Sequence, residues 1–192
     1  MVVRQPRRKH TTSDDWSEFD GVTMPVEAYL DLDDAEETDL EYYDGAAWEK
    51  GVVDRRHGVL VGEMDYHFGG HARGYGGEYG PERRVRLAPN VYRKPDTAYY
   101  SAGTPAGDND IPTLVVEVRS PDETMANQRR KCLMFREHGV LVCWLIDPVS
   151  RTVEVFEGER AGERLPADGV LETSHLPGFS LAITELFAAL DR

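Results

Sequence analysis

Two periodic patterns of hydrophobic and polar positions alternate along the chain. Apolar residues at every second position between turn residues are typical of strands, whereas spacing of three and four residues is typical of helices. The predicted strands are Leu40–Tyr43, Ala46–Val52, VRLAP (85–89), VYRKPDTAYY (91–100), PTLVVEVRS (112–120), LVCWLIDP (141–148) and RTVEVFEG (151–158). The predicted helices are PVEAYLDL (25–32), His57–His71, Met125–His138 and Ile183–Leu190. This order predicts a fold of mixed α and β structure.

Turn residues divide these elements. Asp44-Gly45 between two strands predicts a hairpin, and Gly139 predicts the end of the helix before it. The glycine-rich segment GGHARGYGGEYG (69–80) predicts a loop. Residues 1–20 are polar and highly charged, so we expect a disordered tail there. Residues 21–192 are long enough for one domain with a single core.

A strand–helix–strand unit lies at the centre of the predicted fold. Thr113–Arg119 and Leu141–Asp147 flank the helix Met125–His138. Such a unit predicts two parallel strands joined by a right-handed crossover. The almost continuous apolar run LVCWLIDP is typical of a strand that is buried on both faces. We expect RTVEVFEG to be its antiparallel neighbour.

Composition and charge narrow the classes of function. Of 192 residues, 40% are hydrophobic and 30% are charged, which fits a globular chain. Cys132 and Cys143 lie in apolar segments, so we expect buried free thiols in a reducing compartment, with the cytoplasm as the default. No run approaches the roughly 20 apolar residues that cross a bilayer, so we expect no membrane partner. The net charge of −13 argues against tight, general DNA binding but allows a local basic cleft.

The PTLVVEVRS strand carries the first candidate for chemistry. Its alternation places one set of side chains on one face (Leu114, Val116, Val118) and the other set on the opposite face (Val115, Glu117, Arg119). A carboxylate within such an apolar strand is costly to bury unless it is paired or binds a metal. A salt bridge from Glu117 to Arg119 or to a lysine explains it equally well.

Asp96 follows Pro95 at the start of the strand-like TAYY, 21 positions before Glu117. An aspartate after proline is usually only a turn residue. On adjacent strands, however, the two carboxylates could converge on one hard divalent cation, which takes oxygen ligands and keeps several waters. Such a metal polarises a phosphate and lowers the pKa of a bound water. The pair therefore indicates a candidate site for phosphodiester hydrolysis.

Hydrolysis also needs a cation for the charge that develops on the phosphoryl oxygens, and two candidates exist. Arg119 lies on the predicted Glu117 face and supplies a fixed charge, but it cannot act as a general base. Lys131 lies on the next helix, on a shoulder shared with Gln128 and Phe135. A helix packed across the strand would bring its ammonium over the carboxylates, although a lysine in such a place is more often a surface group.

Five segments follow one another in the order of a known family. They are LEYYDG (40–45), YRKPDTAYY (92–100), PTLVVEVRSPDE (112–123), KCLMFREHGVLVCWLIDP (131–148) and LPGFSL (176–181). Together they resemble the Uma-two family of restriction endonucleases, within the PD-(D/E)XK nuclease superfamily. No single segment is specific, but the ordered set covers most of the predicted domain. An unrelated mixed α/β protein would require every match to be coincidence.

The resemblance implies a restriction-endonuclease-like core, with a central mixed β-sheet flanked by helices. It also implies a Mg²⁺ or Mn²⁺ site and DNA as the substrate. By position, Asp96 and Glu117 are the metal-binding, catalytic carboxylates, and Lys131 is the catalytic lysine that the family places on the following helix. Glu41 resembles the family's early acidic residue, and His57 resembles the histidine that begins its next helix. An ordinary hairpin charge and an ordinary helix-start residue explain these last two equally simply.

Arg119 departs from the family, which usually has an apolar residue at that position. Either Arg119 shares the catalytic role of the cation, or it pairs with an acid and weakens metal binding. Two functions are therefore open: a Mg²⁺-dependent DNA endonuclease, and a catalytically inactive binding or scaffold protein that keeps the nuclease fold. A homodimer is expected only by analogy with enzymes that cut both DNA strands, because nothing in the sequence marks an interface.

Overall fold

The computed structural model describes residues 19–36, 39–51 and 53–192. Residues 1–18 of the predicted charged tail lie outside these ranges, and so does Val52 at the end of a predicted strand. The described residues form helices and sheets, including a central mixed sheet, which confirms the predicted fold class. None of the helices in these ranges is long and apolar enough to cross a membrane.

The described elements are named in chain order. The helices are α1 (Val26–Glu36), α2 (Arg55–Tyr75), α3 (Met125–Glu137) and α4 (Ile183–Ala188), the last followed by a 3-10 turn at Ala189–Asp191. The strands are β1 (Val22–Thr23), β2 (Leu40–Tyr43), β3 (Ala46–Glu49), β4 (Glu78–Pro81), β5 (Val85–Ala88), β6 (Val91–Arg93), β7 (Thr97–Tyr100), β8 (Leu114–Val118), β9 (Val142–Asp147), β10 (Thr152–Glu157), β11 (Arg160–Arg164), β12 (Val170–Leu171) and β13 (Leu181–Ala182).

Six strands form the main sheet, in the order β11-β10-β9-β8-β7-β4. β8 and β9 are parallel, with Leu114 opposite Val142 and Val118 opposite Ile146. Because parallel neighbours need a long crossover connection, α3 lies between them in the chain, as predicted. β10 is the antiparallel neighbour of β9, also as predicted.

The alternation along β8 gives the main sheet two apolar faces. On one face, Val116 belongs to the same cluster as Phe68 of α2. On the other face, Val115 packs in a separate cluster with Phe135 of α3. Glu117 therefore points toward α3, as the period-two pattern predicts. The predicted burial of both cysteines is confirmed, and both thiols are free.

A second sheet has the strand order β1-β3-β2-β6-β5. Its β2–β3 hairpin turns at Asp44 and Gly45, whose φ angles of 54° and 73° suit the hairpin turn that this dipeptide favours. The chain leaves this sheet after β6 and enters the main sheet at β7. The predicted strand VYRKPDTAYY is therefore two strands in different sheets, because Pro95 offers no amide hydrogen to continue a ladder.

The glycine-rich segment shows a difference from the sequence prediction. α2 continues through it to Tyr75 and ends at Gly76, whose φ is 79°. A Cβ at Gly69 would lie only 2.7 Å from the Tyr79 hydroxyl, so this glycine permits close packing between α2 and β4. Tertiary packing of the apolar helix face thus outweighs the helix penalty of about 1 kcal/mol for each glycine.

Gly70→Ala tests whether α2 continues through this segment. Gly70 is exposed, and an added Cβ would meet only the Arg73 Nη2 at 3.9 Å. We expect the free energy of unfolding in urea to rise by about 0.5–1 kcal/mol, because alanine restricts the unfolded chain and favours a helix. The matched variant Gly76→Ala should lose about 1–2 kcal/mol, because its backbone is left-handed. Equal effects of the two substitutions would contradict the helix end at Tyr75.

Candidate active site

The strand register brings the two predicted carboxylates together. In the antiparallel pair β7–β8, Thr97 lies opposite Val116. One step further along the same register, Asp96 lies beside Glu117. The Val118 amide donates a hydrogen bond of 2.7 Å to Asp96 Oδ2, which fixes this approach. Both carboxylates are buried, with 3% and 1% of their residue surfaces exposed.

Asp96 is held by three donors. Its Oδ2 accepts from the Val118 amide and from His57 Nε2, the latter at 3.0 Å. Its Oδ1 accepts from Lys50 Nζ at 3.0 Å. Burial alone would raise the pKa of Asp96, but Lys50 and His57 together hold that pKa well below its usual range. Asp96 is therefore a carboxylate with a fixed orientation.

His57 is both a residue at the start of a helix and a neighbour of Asp96. It lies in the first turn of α2, where its amide donates to the capping Asp54 side chain at 2.8 Å. Its ring is buried, and Nε2 carries the hydrogen because the Asp96 carboxylate can only accept. The Nδ1 atom is buried without a hydrogen-bond partner among the described residues. The first turn of α2 thus places the imidazole of His57 beside Asp96.

Glu117 has one paired and one unpaired oxygen. Its Oε2 lies 2.8 Å from Lys131 Nζ, whereas Oε1 is buried with no hydrogen-bond partner among the described residues. Burial, aided by the neighbouring carboxylates of Asp96 and Glu41, raises the pKa of Glu117 against the opposing effect of Lys131 and Lys50. An additional positive charge at Oε1 would stabilise the ionised form of Glu117 and so lower its pKa.

Lys131 lies between two acids. Its Nζ contacts Glu117 Oε2 at 2.8 Å and Glu41 Oε1 at 3.1 Å. The residue is 7% exposed, so it is not the surface lysine that such a helix shoulder usually holds. Although burial opposes it, the two carboxylates raise the pKa of Lys131 well above its ordinary value. Lys131 therefore remains an ammonium.

Glu41 reaches the site from the second sheet. Tyr42 of β2 pairs with Tyr92 of β6, so Glu41 lies beside Arg93. Its Oε2 is 3.2 Å from Arg93 Nη1, and its Oε1 accepts from the Lys94 amide at 3.0 Å. Despite burial, Arg93, Lys131 and Lys50 lower the pKa of Glu41 to about 2. Glu41 is a buried anchor for two cations and not an exposed hairpin charge.

Arg119 lies away from the carboxylate pair. It follows the end of β8, where its amide donates to the Ile146 carbonyl oxygen at 2.9 Å. Its guanidinium donates to Asp147 Oδ1 through Nε at 3.0 Å and Nη2 at 2.8 Å. Of the two alternatives for Arg119, the geometry thus favours pairing with an acid. That acid is outside the Asp96–Glu117 pair, so the pairing does not compete for either carboxylate.

Sequence reasoning missed three members of the site: Arg93, described above, and also Lys50 and Glu82. Lys50 directly follows β3, and Glu82 lies in the turn after β4. The Lys50 ammonium contacts both Glu82 and Asp96. No local pattern marks either residue, because the contact to Glu82 spans 32 positions and the contact to Asp96 spans 46.

The site opens into a narrow recess with about 40 Å³ of space for water. Its lining comes from the second sheet, from the start of β7 and the end of β8, and from α2 and α3. Its lining includes the charged side chains described above (Glu41, Lys50, His57, Arg93, Asp96, Glu117 and Lys131).

Comparisons with known proteins identify the family of this chain. The family model of Uma2, described as "Putative restriction endonuclease", matches residues 26–184. The chain belongs to the Uma2 family. This membership confirms the resemblance inferred from the ordered segments, and it supports a nuclease. None of the curated proteins matches the chain.

The fold is also similar to a solved structure, described as a "putative nuclease belonging to DUF820" from Anabaena variabilis ATCC 29413. The TM-score is 0.76 at 22% sequence identity, and the match covers 87% of this chain and 99% of that chain. Similarity at this identity shows the fold alone. It confirms the nuclease-type core predicted for this member of the Uma2 family.

The residues of this Uma2 site fit a divalent cation, by the chemistry of their donors. Within residues 19–36, 39–51 and 53–192, no three His, Cys, Asp or Glu side chains form a group that could hold a metal. Magnesium does not need such a group, because one or two carboxylates with waters and substrate phosphates commonly bind it. The unpaired Glu117 Oε1 beside Asp96 is the kind of oxygen it requires.

The low pKa of Glu41 predicts how stability depends on pH. A carboxyl group whose folded pKa is lowered contributes stability above its unfolded pKa, and this contribution is lost as the pH falls toward the folded value. The window for Glu41 is therefore from its ordinary 4.5 down to about 2. At about pH 7, Glu41→Gln should lower the free energy of unfolding by about 3–5 kcal/mol, because Arg93 and Lys131 lose a buried counter-charge.

Urea unfolding of the wild type and of Glu41→Gln at several pH values measures this effect. The difference between them should shrink as the pH falls below about 4.5. A difference that stays constant down to about pH 3 would show that Glu41 is not a buried anion in the folded chain.

Proposed function

We propose that this chain is a metal-dependent endonuclease that hydrolyses phosphodiester bonds in DNA, with Mg²⁺ or Mn²⁺ held by Asp96 and Glu117. The observation that carries the proposal is the convergence of these two buried carboxylates where β7 begins and β8 ends, with the Lys131 ammonium 2.8 Å from Glu117. Membership of the Uma2 family supports the nuclease class. The fold alone would not, because folds host many unrelated functions.

The bound cation would lower the pKa of a water molecule and neutralise charge on the phosphate. The chain itself provides orientation. The Val118 amide and His57 Nε2 hold Asp96 Oδ2, so this carboxylate cannot rotate freely. The Glu117 Oε1 atom has no hydrogen-bond partner among the described residues, so it is the Glu117 oxygen available to a cation.

Lys131 provides electrostatic stabilisation. Its raised pKa keeps it protonated, so it serves as a fixed positive charge and not as a general base. A buried ammonium beside the reacting phosphate stabilises the charge that develops on the phosphoryl oxygens more strongly than an exposed one. Glu41 positions Lys131 through the 3.1 Å contact from the second sheet.

The net charge of −13 is compatible with DNA as the substrate because the cations are gathered locally. Lys50, Arg93 and Lys131 all line the recess. A phosphodiester entering it meets these cations, whereas much of the remaining surface repels it. Dimerisation stays a prediction from analogy, and a monomer mass in light scattering would contradict it.

The first test is cleavage of mixed DNA substrates by the purified protein, with Mg²⁺ or Mn²⁺ and with a chelator. We expect cleavage only with metal, and a loss of at least about 100-fold for Glu117→Gln, because the substitution removes a metal-binding oxygen and its charge. Glu185→Gln on α4 is the matched control, since this exposed carboxylate lies outside the recess. Cleavage that survives Glu117→Gln, or none with any metal, would refute the proposal.

The second test separates the two candidate cations. Lys131→Met should reduce metal-dependent cleavage by at least about 100-fold. Arg119→Gln should keep it near the wild-type rate and cost about 1 kcal/mol of stability, because Asp147 remains bound by Ser150 and the Val149 amide. Rates are compared after urea unfolding has shown that each variant is folded. Equal losses of cleavage would mean that Arg119 shares the catalytic role.

The pairing of the cations favours a second candidate, an inactive binding or scaffold protein. Lys50 already contacts Asp96, and Lys131 already contacts Glu117. If these pairs are permanent, no divalent ion can join them. Calorimetry with Mn²⁺ discriminates between the two functions: binding that disappears in Asp96→Ala supports the nuclease, and no binding in any variant supports the scaffold.

A further inference from the structure

Lys50 occupies the position on Asp96 that a divalent ion would need. Asp96 Oδ2 already accepts from His57 and from the Val118 amide, so Oδ1 is the Asp96 oxygen more available to a metal. The Lys50 ammonium lies 3.0 Å from this Oδ1. The lysine side chain is only 10% exposed, so water screens it poorly.

A second carboxylate holds the same ammonium. The Lys50 ammonium also contacts Glu82, which lies in the turn between β4 and β5. The Glu82 backbone has a φ of 55°, a left-handed turn conformation. The Glu82 side chain is 37% exposed, so it remains solvated whether or not the lysine is bound to it. Lys50 thus has a partner to keep if its contact with Asp96 is broken.

Two cations cannot share one carboxylate oxygen at low cost. Like charges a few ångströms apart repel strongly where water is largely excluded. A divalent ion at Asp96 and Glu117 therefore requires the Lys50 ammonium to move toward Glu82. The flexible four-carbon stem of lysine permits this movement, and the single contact to Oδ1 is the one that must break.

We propose that Lys50 is an internal competitor for the divalent ion, held on Asp96 in the metal-free protein and received by Glu82 when the ion binds. This inference rests on the proposed function, because it assumes a metal at Asp96 and Glu117. It assigns Lys50 and Glu82 a role in setting metal affinity. They are positioning residues and take no part in the bond that is cleaved.

Calorimetry of Mn²⁺ binding to the full chain without nucleic acid tests the proposal apart from activity. Lys50→Met keeps the length of the side chain and removes its charge, so we expect Mn²⁺ to bind at least about tenfold more tightly. Lys50→Arg keeps the charge and should bind no more tightly than the wild type. Arg130→Met makes the same change in net charge at an exposed position, and it should have a much smaller effect.

Glu82→Gln should change the affinity for Mn²⁺ in the direction opposite to that of Lys50→Met. It leaves Lys50 with Asp96 as its carboxylate partner, so Mn²⁺ binding should weaken severalfold. If Lys50→Met fails to fold, this variant still tests the proposal. Glu82 is partly exposed, so removing its charge does not leave a buried charge without a partner. Thermal unfolding checks each variant before binding is measured.

The outcomes separate this inference from the proposed function. Tighter binding in Lys50→Met and weaker binding in Glu82→Gln support it. If Lys50→Met binds Mn²⁺ no more tightly than the wild type, or if Arg130→Met tightens binding equally, the inference is overturned while metal-dependent cleavage can still stand. If neither the wild type nor Lys50→Met binds Mn²⁺, both proposals fail.

Discussion

Burial of three carboxylates at the junction of two sheets is the constraint on which the rest of the structure depends. A buried ion costs several kcal/mol unless a counter-charge lies in good geometry. The chain meets this requirement with cations from separate elements, so each element must lie where its cation reaches an acid. The carboxylates are Asp96, Glu117 and Glu41, and the cations are Lys50, Lys131 and Arg93. The candidate site and the contact between the sheets are therefore one network.

The choice between Lys131 and Arg119 follows from this network. A strand residue two positions after Glu117 would point to the same face if the strand continued, but β8 ends at Val118. Arg119 is then free to turn toward Asp147 at the end of the neighbouring strand. The helix that covers the Glu117 face supplies the ammonium instead. Under the proposed function, Lys131 would therefore take the role of a basic residue on the strand, and Arg119 would not be needed for it.

Local rules account for the part of this arrangement that the sequence predicts. Alternation placed Glu117 on the face opposite Val116, and the strand–helix–strand order placed α3 over that face. Residue chemistry and spacing already proposed Asp96 and Lys131, and the ordered family resemblance supported both and added the early acid, Glu41. Local patterns did not predict Lys50 and Glu82, because their contacts depend on how the second sheet packs against the main sheet. No short segment of the sequence encodes that packing. The helical structure of the glycine-rich part of α2 was not predicted for the same reason, since its packing partner is a later strand.

Charge balance links the binding of metal to the binding of substrate under the proposed function. With all four of its carboxylates ionised, the ion-paired network with its three cations would have a formal charge of −1; the members are Glu41, Glu82, Asp96, Glu117, Lys50, Arg93 and Lys131. A divalent ion changes this to +1, and one phosphodiester then returns it to zero. Each ligand is therefore held more tightly when the other is present, because the recess is too dry to tolerate an excess of either sign. Thermodynamic linkage makes this coupling reciprocal. Under the proposed function, a chain that is acidic overall would thus bind a phosphodiester at one recess, because the divalent ion bound there supplies the positive charge that the substrate requires.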